Sequence, residues 1–280
     1  MTTKEWSCYE LIMPFKNTVE RTPWWLVTII ILALILSWNM VADESYQRIA
    51  SALSAGLLTT IGVTFTAFIL ASLLGLFIAL AGFSRYRILR EFARFYVEIF
   101  RGIPVLVLLF YIAFVGAPEM VKLYNWVFQI PIEAGWIEKA TTRDFSLLWR
   151  AIIALAISYS AFIAEVFRAG IQEVSKGQIE AAKALGLSNW HRFRLITLPQ
   201  AMRKILPPLG NDFVAMIKDS ALVSVLGVQD ITQLGKVFSS STFQFFETYN
   251  VVAFMYLILT LSLSLMIRAF ETHLRRNDHH

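Results

Sequence analysis

The feature that most constrains this chain is the length of its uncharged stretches. No charged side chain occurs between Arg48 and Arg85, and none occurs from Thr248 to Ile267. A bilayer core of about 30 Å is crossed by about 20 apolar residues of an α-helix, and both stretches reach that length. Only 16% of the 280 residues are charged, whereas soluble domains carry about 25%. The sequence therefore predicts an integral membrane protein.

Six hydrophobic segments are candidates for membrane spans. Backbone N–H and C=O groups find no water in lipid, so each span is expected to be helical. The predicted spans are residues 24–42, 54–83, 92–117, 147–168, 206–229 and 248–267. The first is predicted to be an uncleaved span rather than a signal peptide, because 23 residues precede it and Met40-Val41-Ala42 is a poor cleavage site.

The basic residues between these segments predict an orientation. Lys and Arg are retained in the cytoplasmic loops of membrane proteins. Alternate segments hold 15 of the 25 Lys and Arg residues, namely 1–23, 83–91, 170–206 and 268–280. The intervening segments hold five, namely 42–53, 118–146 and 231–247. Both termini are therefore expected to be cytoplasmic.

The longest predicted cytoplasmic segment, 170–206, begins with the pattern of a short helix. Ser175 and Gln178 form a capping-box pattern, in which both side chains bond backbone N–H groups at a helix start. The helix is predicted over 176–185. It is expected to end at Gly186, because glycine is preferred where a helix stops in the left-handed conformation.

A second short helix is predicted in the same segment, over 189–198. Pro199 is expected to break it, because proline lacks the N–H that a helix interior needs. Trp190, Phe193 and Ile196 recur at three-residue spacing along this helix. They would offer an apolar stripe to another protein.

A spaced motif runs through both helices. Its fixed positions are Glu180-Ala181-Ala182, Gly186 after three further residues, Ile196 after nine more, and Leu198-Pro199 one residue beyond. The motif resembles the EAA loop of ABC importer permeases, and it lies, as in that family, in a predicted cytoplasmic loop between two spans. The alternative interpretation is a surface pair of amphipathic helices without a partner.

The resemblance implies that this loop couples the chain to a cytoplasmic ATPase subunit. Glu180 and Gly186 would form the coupling contact, and Ala181 and Ala182 would allow a close fit. The last motif positions would fix the return of the loop to the membrane: Ile196, Leu198 and Pro199. Closure of two ATPases would switch the spans between inward-open and outward-open states. MgATP would bind to those partners, and this chain would bind no cofactor.

Three further segments resemble permeases for polar amino acids of the histidine, glutamine and glutamate type. They are Tyr96-x-Glu98-x-x-Arg101-Gly102-x-Pro104, Gly177-Gln178-x-Glu180-Ala181-Ala182-x-Ala184-Leu185-Gly186 and Lys218-Asp219-Ser220-x-Leu222. The resemblance implies an all-α, type I importer fold, with a MetI-like core of five spans and an extra N-terminal span. The predicted divisions are 1–50 for the N-terminal segment and extra span, 51–273 for the permease domain and 274–280 for the tail.

The resemblance also implies partners. Such permeases work in pairs, as two identical or two homologous subunits, with an external solute-binding protein. Loop 118–146 mixes acidic and basic residues, so it is a candidate docking surface for the binding protein, or alternatively an ordinary solvated loop. The implied location is the bacterial inner membrane.

Charged side chains inside predicted spans are candidates for the substrate path, because they are costly in lipid. Two pairs are three residues apart and could neutralise each other, Glu98 with Arg101 and Glu165 with Arg168. Further candidates lie in the fifth predicted span: Asp212, Lys218, Asp219 and Ser220. A zwitterionic amino acid needs a positive site for its carboxylate and an acidic site for its ammonium group. Structural pairs near helix ends are the alternative interpretation.

Other function classes find less support in the sequence. It contains no nucleophile elbow, zinc-protease motif or phosphate loop, so neither a catalytic residue nor a metal site is predicted. A channel or a secondary transporter would also use intramembrane charges, but neither would need the EAA motif. Within the ABC class, the alternative is a permease for another small solute, such as an anion or a metal ion.

Overall fold

The computed structural model describes residues 24–276, and all regular secondary structure in that range is helical. Its helices begin with α1 (Trp24–Ala42), α2 (Glu44–Gly82), α3 (Arg87–Gly102), α4 (Val105–Tyr111), α5 (Ala117–Val127) and α6 (Gln129–Glu133). They continue with α7 (Leu147–Gln172), α8 (Lys176–Ala184), α9 (Asn189–Arg192), α10 (Leu198–Asp219), α11 (Ile231–Thr242) and α12 (Phe245–Arg276). The predicted N-terminal segment 1–23 and the end of the tail, 277–280, lie outside the described residues.

Four helical stretches within the described range are long and apolar enough to cross a membrane. They are Glu44–Gly82, Val105–Val127, Leu147–Gln172 and Phe245–Thr272. Helix α1 adds a shorter apolar stretch, Ala33–Ala42. The predicted spans at 54–83, 147–168 and 248–267 therefore fall on long, continuous apolar helices.

The predicted third span, 92–117, is not one helix. It is interrupted between α3 and α4, because Pro104 has no N–H for a helical bond and disfavours helical dihedrals at the preceding residue. Ile103 is accordingly extended, with φ −93° and ψ 127°. The apolar stretch begins only after this break and ends ten residues later than predicted, at Val127.

The predicted fifth span, 206–229, is also divided. Helix α10 is followed by a 3₁₀ turn, Ser220–Leu226, and the chain then turns at Gly227, whose φ of +80° is left-handed. Helix α10 contains Pro207 and Pro208 together with several charged residues, so it is not among the four apolar stretches. The count of six spans therefore stays a prediction.

The core lies where α2 packs against α7, the most extensive helix–helix contact of the fold. A small residue permits close approach there, since a Cβ added to Gly75 would lie 2.9 Å from the carbonyl oxygen of Ser160. The largest buried side chains of this core come from four segments and are Leu109, Leu155, Ile163, Met216 and Val223. The core therefore joins α2, α4, α7, α10 and the 3₁₀ turn into one body.

Arg150 secures the loop that precedes α7. Its side chain is only 8% exposed, and its Nε donates to the carbonyl of Phe145 at 2.8 Å. One Nη donates to the carbonyl of Ala113 at 3.0 Å, and the other donates to the carbonyl of Thr142. Ala113 lies in a π-helical turn, Ile112–Gly116, between α4 and α5. One buried guanidinium thus joins the 142–145 loop to the neighbouring apolar helix.

Candidate functional site

The turn between α8 and α9 has the geometry predicted for Gly186. Its φ is +76°, in the left-handed region. The N–H of Gly186 donates to the carbonyl of Lys183 at 3.0 Å, and the N–H of Leu187 donates to the carbonyl of Ala182 at 3.1 Å. These two bonds form the Schellman arrangement, which satisfies the last carbonyls of a helix. The predicted helix end is confirmed.

Two other local predictions in this loop are wrong. Ser175 occupies the N-cap position but makes no side-chain capping bond, and the side chain of Gln178 instead bonds that of Gln200 on α10. Pro199 does not break the second helix. A π-helical turn, Phe193–Thr197, joins α9 to α10, and Pro199 follows it in the first turn of α10, where a missing N–H is tolerated.

The residues of the EAA motif differ in their access to a partner. Glu180, Ala181 and Gly186 are exposed, and a Cβ added to Gly186 would meet nothing within 4 Å. Ala182 is only 3% exposed, so its side chain is covered by this chain itself. The last three positions lie at the entry to α10 and range from half-buried to exposed: Ile196, Leu198 and Pro199.

An apolar patch lies on the same loop. Trp190 and Leu185 are 63% and 81% exposed, and the ring of Phe193 lies 6.0 Å from that of Trp190, measured between centroids. Ile196, the third member of the predicted stripe, is half-buried. Exposed apolar patches next to polar residues mark interaction sites. The loop therefore presents an acidic residue, an open turn and an aromatic pair on its surface.

The predicted intramembrane charges on α3 and α7 do meet, but in a different pairing. Nη1 of Arg101 lies 2.7 Å from Oε1 of Glu165, and the Arg101 guanidinium lies 5.4 Å from the ring centroid of Phe162. The predicted pairs of Glu98 with Arg101 and of Glu165 with Arg168 are therefore wrong. Arg101 reaches across to the neighbouring helix instead of along its own.

Glu98 and Arg168 line a cleft of about 80 Å³ at one end of α2, α3 and α7. Arg90, Arg94 and Glu165 also contribute to its walls. Within residues 24–276, neither Glu98 nor Arg168 takes part in a hydrogen bond or an ion pair. The cleft therefore holds uncompensated charges of both signs.

The polar residues of the fifth predicted span lie in different surroundings. The hydroxyl of Tyr159 on α7 donates to Oδ2 of Asp219 at 2.8 Å. Oδ2 of Asp212 is buried and has no hydrogen-bond partner within the described part of the chain. Lys218 is exposed, whereas Ser220 is fully buried and its hydroxyl donates to the carbonyl of Ile217 on α10 at 2.7 Å. The sequence did not single out Tyr159, since only the packing of α7 on α10 brings it to Asp219.

A buried polar cluster at the junction of α2, α11 and α12 was not predicted either. Asp230 is fully buried. One of its carboxylate oxygens accepts a hydrogen bond from the N–H of Gln233 at 2.8 Å, and the other accepts one from the hydroxyl of Tyr256 at 3.1 Å. The Tyr256 and Thr232 hydroxyls lie 3.0 Å apart, and the Thr60 hydroxyl accepts the first N–H of α11 at 3.3 Å. An Asp before a helical run was the available signal, because Asp is a preferred N-cap.

Comparison with known proteins agrees with this arrangement. One solved structure is described as an amino acid ABC transporter with histidines. The match covers 82% of this chain and 97% of the chain in that structure, with a TM-score of 0.68 and 35% sequence identity. The MetNI methionine ABC transporter matches 83% of this chain and 99% of its own, with a TM-score of 0.60. At 19% identity, that second likeness shows a common fold alone.

Sequence relatives cover nearly the same region. The arginine transport system permease protein ArtQ of Bacillus subtilis is 31% identical over 80% of this chain and 92% of its own length. The family model of the inner membrane component of binding-protein-dependent transport systems matches residues 71–276. That match includes the loop with the Gly186 turn, the Arg101–Glu165 pair and the three apolar stretches after α2. The chain belongs to the family of inner-membrane components of binding-protein-dependent transport systems.

Proposed function

We propose that this chain is the permease subunit of an ATP-driven importer that moves polar amino acids by alternating access. The observation that carries the proposal is its 35% identity, over 82% of the chain, to a solved amino acid ABC transporter. Relatives named for polar amino acids support the same class. One is ArtQ, and another is a Rickettsia prowazekii protein provisionally named as the glutamine permease GlnP, which is 34% identical over 77% of this chain.

The loop between α7 and α10 is proposed to transmit ATPase movement. Glu180 and the left-handed turn at Gly186 lie exposed on its surface, and Trp190 and Phe193 form an apolar patch beside them. An acidic residue next to exposed aromatic rings suits a groove with a basic rim on a partner subunit. MgATP is proposed to bind to two such partners, and this chain binds no cofactor.

The proposed topology has six spans and cytoplasmic termini. The excess of Lys and Arg in alternate segments supports it. In this topology α1 and α10 join the four long apolar stretches as spans. Helix α10 is proposed to line a polar pathway rather than to face lipid. Its charged residues and its two prolines fit that position.

The substrate pathway is proposed to involve two groups of side chains. The first is the cross-helix pair of Arg101 and Glu165, together with Glu98 nearby. The second lies on and after α10: Asp212, Lys218, Asp219 and Ser220. The unpartnered, buried Oδ2 of Asp212 is the strongest candidate for a substrate ammonium contact, because a buried carboxylate oxygen without a donor is costly unless something binds it.

The remaining partners follow from the same proposal. A second permease subunit, identical or homologous, would complete the pathway, and a periplasmic or extracellular solute-binding protein would deliver the amino acid. The part of loop 118–146 that follows the apolar stretch ending at Val127 is proposed as part of its docking surface, and Arg150 would hold the end of that loop in place. The bacterial inner membrane is the proposed location.

The test is the ATPase rate of the complete complex in lipid, measured with each of a panel of amino acids. Stimulation by particular polar amino acids is expected, with loss of that stimulation in Glu180→Ala and Gly186→Arg. Glu271→Ala is the matched control for Glu180→Ala. Glu271 lies near the C-terminal end of α12, so this change also removes a carboxylate, but outside the coupling loop.

Different outcomes would favour different alternatives. Stimulation by anions or metal ions, but by no amino acid, would indicate a permease for another small solute. A rate that ignores both the amino acids and the loop variants, in a complex that retains its fold, would contradict ATPase coupling. A channel or a secondary transporter would then be the better hypothesis.

A further inference from the structure

Helix α3 has one apolar side outward, and its charged residues border the face that packs on the rest of the protein through Ala93, Tyr96 and Val97. The outward side is a stripe of exposed apolar residues at helical spacing: Ile88, Phe92, Phe95 and Ile99. The opposite side carries Arg90, Arg94 and Glu98, which line the cleft between α2, α3 and α7. An amphipathic helix of this kind suits a membrane interface, with apolar residues in the acyl region and arginines at headgroup level.

The cleft has an excess of positive charge, because its walls carry three guanidinium groups and two carboxylates, one of which is paired with Arg101. Arg90 is held by bonds to the carbonyls of Ser84 and Arg85, both at 3.0 Å. Arg94 has only an exposed partner on its own helix, Glu91, at 3.3 Å, and exposed pairs are weak. Arg168 has no partner within residues 24–276. Three guanidinium groups therefore face one space.

Fewer carboxylates than guanidinium groups are available to balance this charge. Glu165 is bound to Arg101 at 2.7 Å, which leaves Glu98 as the unpaired carboxylate of the cleft walls. Small residues keep the cleft open, because Gly82, Ala93 and Ala164 contribute no bulk. The site can thus admit a compact anion, and its chemistry matches a phosphate group, which arginine binds through its planar fork.

We propose that this cleft binds the phosphate of an anionic phospholipid headgroup. The inference rests on the proposed orientation, in which the C-terminal ends of α2 and α7 and the start of α3 lie on the cytoplasmic side. Basic pockets between spans on that side bind anionic headgroups. A short, exposed apolar stripe on α2 borders the cleft, because Leu76 and Phe83 flank the lining residue Ala79 on the helix surface. The acyl chains lie along this stripe while the phosphate meets Arg90, Arg94 and Arg168.

Native mass spectrometry of the full chain in neutral detergent tests the proposal. The ligands are dioleoyl-phosphatidylglycerol, dioleoyl-phosphatidylcholine and inorganic phosphate, with equal acyl chains on the two lipids. Preferential retention of phosphatidylglycerol is expected, and the double variant Arg94→Gln/Arg168→Gln is expected to weaken it about tenfold. The matched control, Lys139→Gln/Arg143→Gln, removes the same charge from the external loop and is expected to leave retention unchanged.

Glu98→Gln gives an independent readout. It removes the one carboxylate that repels a phosphate in the cleft, so it is expected to increase phosphatidylglycerol retention. Weaker phosphatidylglycerol retention in Glu98→Gln would contradict repulsion between Glu98 and the phosphate and would overturn the placement of the phosphate in this cleft. Equal loss in the cleft and control variants would overturn the site.

The source of the phosphate is also decided by this experiment. Displacement of the lipid by millimolar inorganic phosphate would identify a soluble anion as the ligand and overturn the lipid source. Lipid retention in detergent does not require ATPase partners, so its failure is distinguishable from failure of the proposed transport function.

Discussion

Arg101 and Glu165 are joined by a 2.7 Å ion pair that connects α3 to α7 next to the break at Ile103 and Pro104. Both side chains are more than two-fifths exposed, at 42% and 44%. Exposed pairs of this kind contribute about 0.2–1 kcal/mol to stability. The pair therefore does more to fix the position of the helix end beside the break than to hold the fold together.

Exchange of the two charges tests this role. Arg101→Glu and Glu165→Arg, made singly, each place two like charges together and are expected to lower amino acid uptake in vesicles. The double variant restores the ion pair and is expected to recover part of the uptake. Unfolding midpoints are expected to change little in all three, because the pair is half exposed. Uptake in the double variant no better than in either single variant would contradict a pairing role.

The left-handed turn at Gly186 gives a second prediction. Gly186→Ala keeps the site small but forces a β-carbon into φ +76°, which costs about 1–2 kcal/mol. Gly186→Asn is expected to be milder, because asparagine tolerates this region. Thermal unfolding and substrate-stimulated ATPase activity are the measurements. Gly177→Ala, within α8, is the control. If alanine and asparagine reduce ATPase coupling equally, conformation is not the cause.

Local patterns in the sequence predicted one helix end correctly, failed at the capping box and at Pro199, and predicted contacts between helices poorly. Gly186 ended its helix as expected, because the preference for a left-handed residue depends on the adjacent turn alone. The partner of Arg101 could not be predicted, because it depends on how α3 and α7 are rotated against each other. The helix break predicted at Pro199 does not occur, because a π-helical turn ahead of it changes the hydrogen-bond register. Pro199 then lies in the first turn of α10, where its missing N–H is tolerated. The cluster around Asp230 could not be predicted either. Like the contact between Tyr159 and Asp219, it joins residues from distant segments of the sequence.

Gly56 on α2 is predicted to be intolerant of any side chain. A Cβ there would lie 2.7 Å from the carbonyl carbon of Asp230 and from the nitrogen of Ile231, and backbone atoms cannot move aside cheaply. Gly56→Ala is expected to lower the free energy of unfolding by about 1–3 kcal/mol, as overpacking does. Gly62→Ala, on the same helix with nothing within 4 Å, is the matched control and is expected to be neutral or slightly stabilising. Equal unfolding midpoints for the two variants would contradict the close approach of α2 to α11.

Arg150 is predicted to be indispensable to the loop between α6 and α7. Arg150→Met keeps the length of the side chain but removes donors to three carbonyls, including those of Phe145 and Ala113. Bonds to charged groups contribute about 1.5–3 kcal/mol each, so a loss of at least that size is expected. Limited proteolysis within 134–146, between α6 and α7, is expected to become faster as well. Arg143→Met, an exposed position in the same loop, is the control and is expected to be unchanged in both assays.

The six-span topology can be tested with Cys8, the single cysteine of the chain. A membrane-impermeant maleimide added to spheroplasts is expected to leave Cys8 unmodified until the membrane is permeabilised. A second variant, Cys8→Ser with Asp278→Cys, reports the other terminus and is expected to behave identically. A third, Cys8→Ser with Lys139→Cys, is expected to react without permeabilisation, because the proposed topology places residue 139 outside.

The two termini together decide the number of crossings, since an even number puts them on the same side. If α10 does not cross the membrane, five spans remain, and Asp278→Cys would react from outside while Cys8 stays protected. If α1 does not cross, Cys8 itself would react, because the positions of α2 and later helices would be unchanged. Protection of both termini, with labelling of Lys139→Cys, therefore requires that α1 and α10 both span the bilayer, because an odd number of crossings must separate Lys139 from each terminus. A further cysteine at Ser188, in the α8–α9 turn, is expected to be protected as well, because α7 alone separates it from Lys139; its labelling from outside would contradict a crossing by α7.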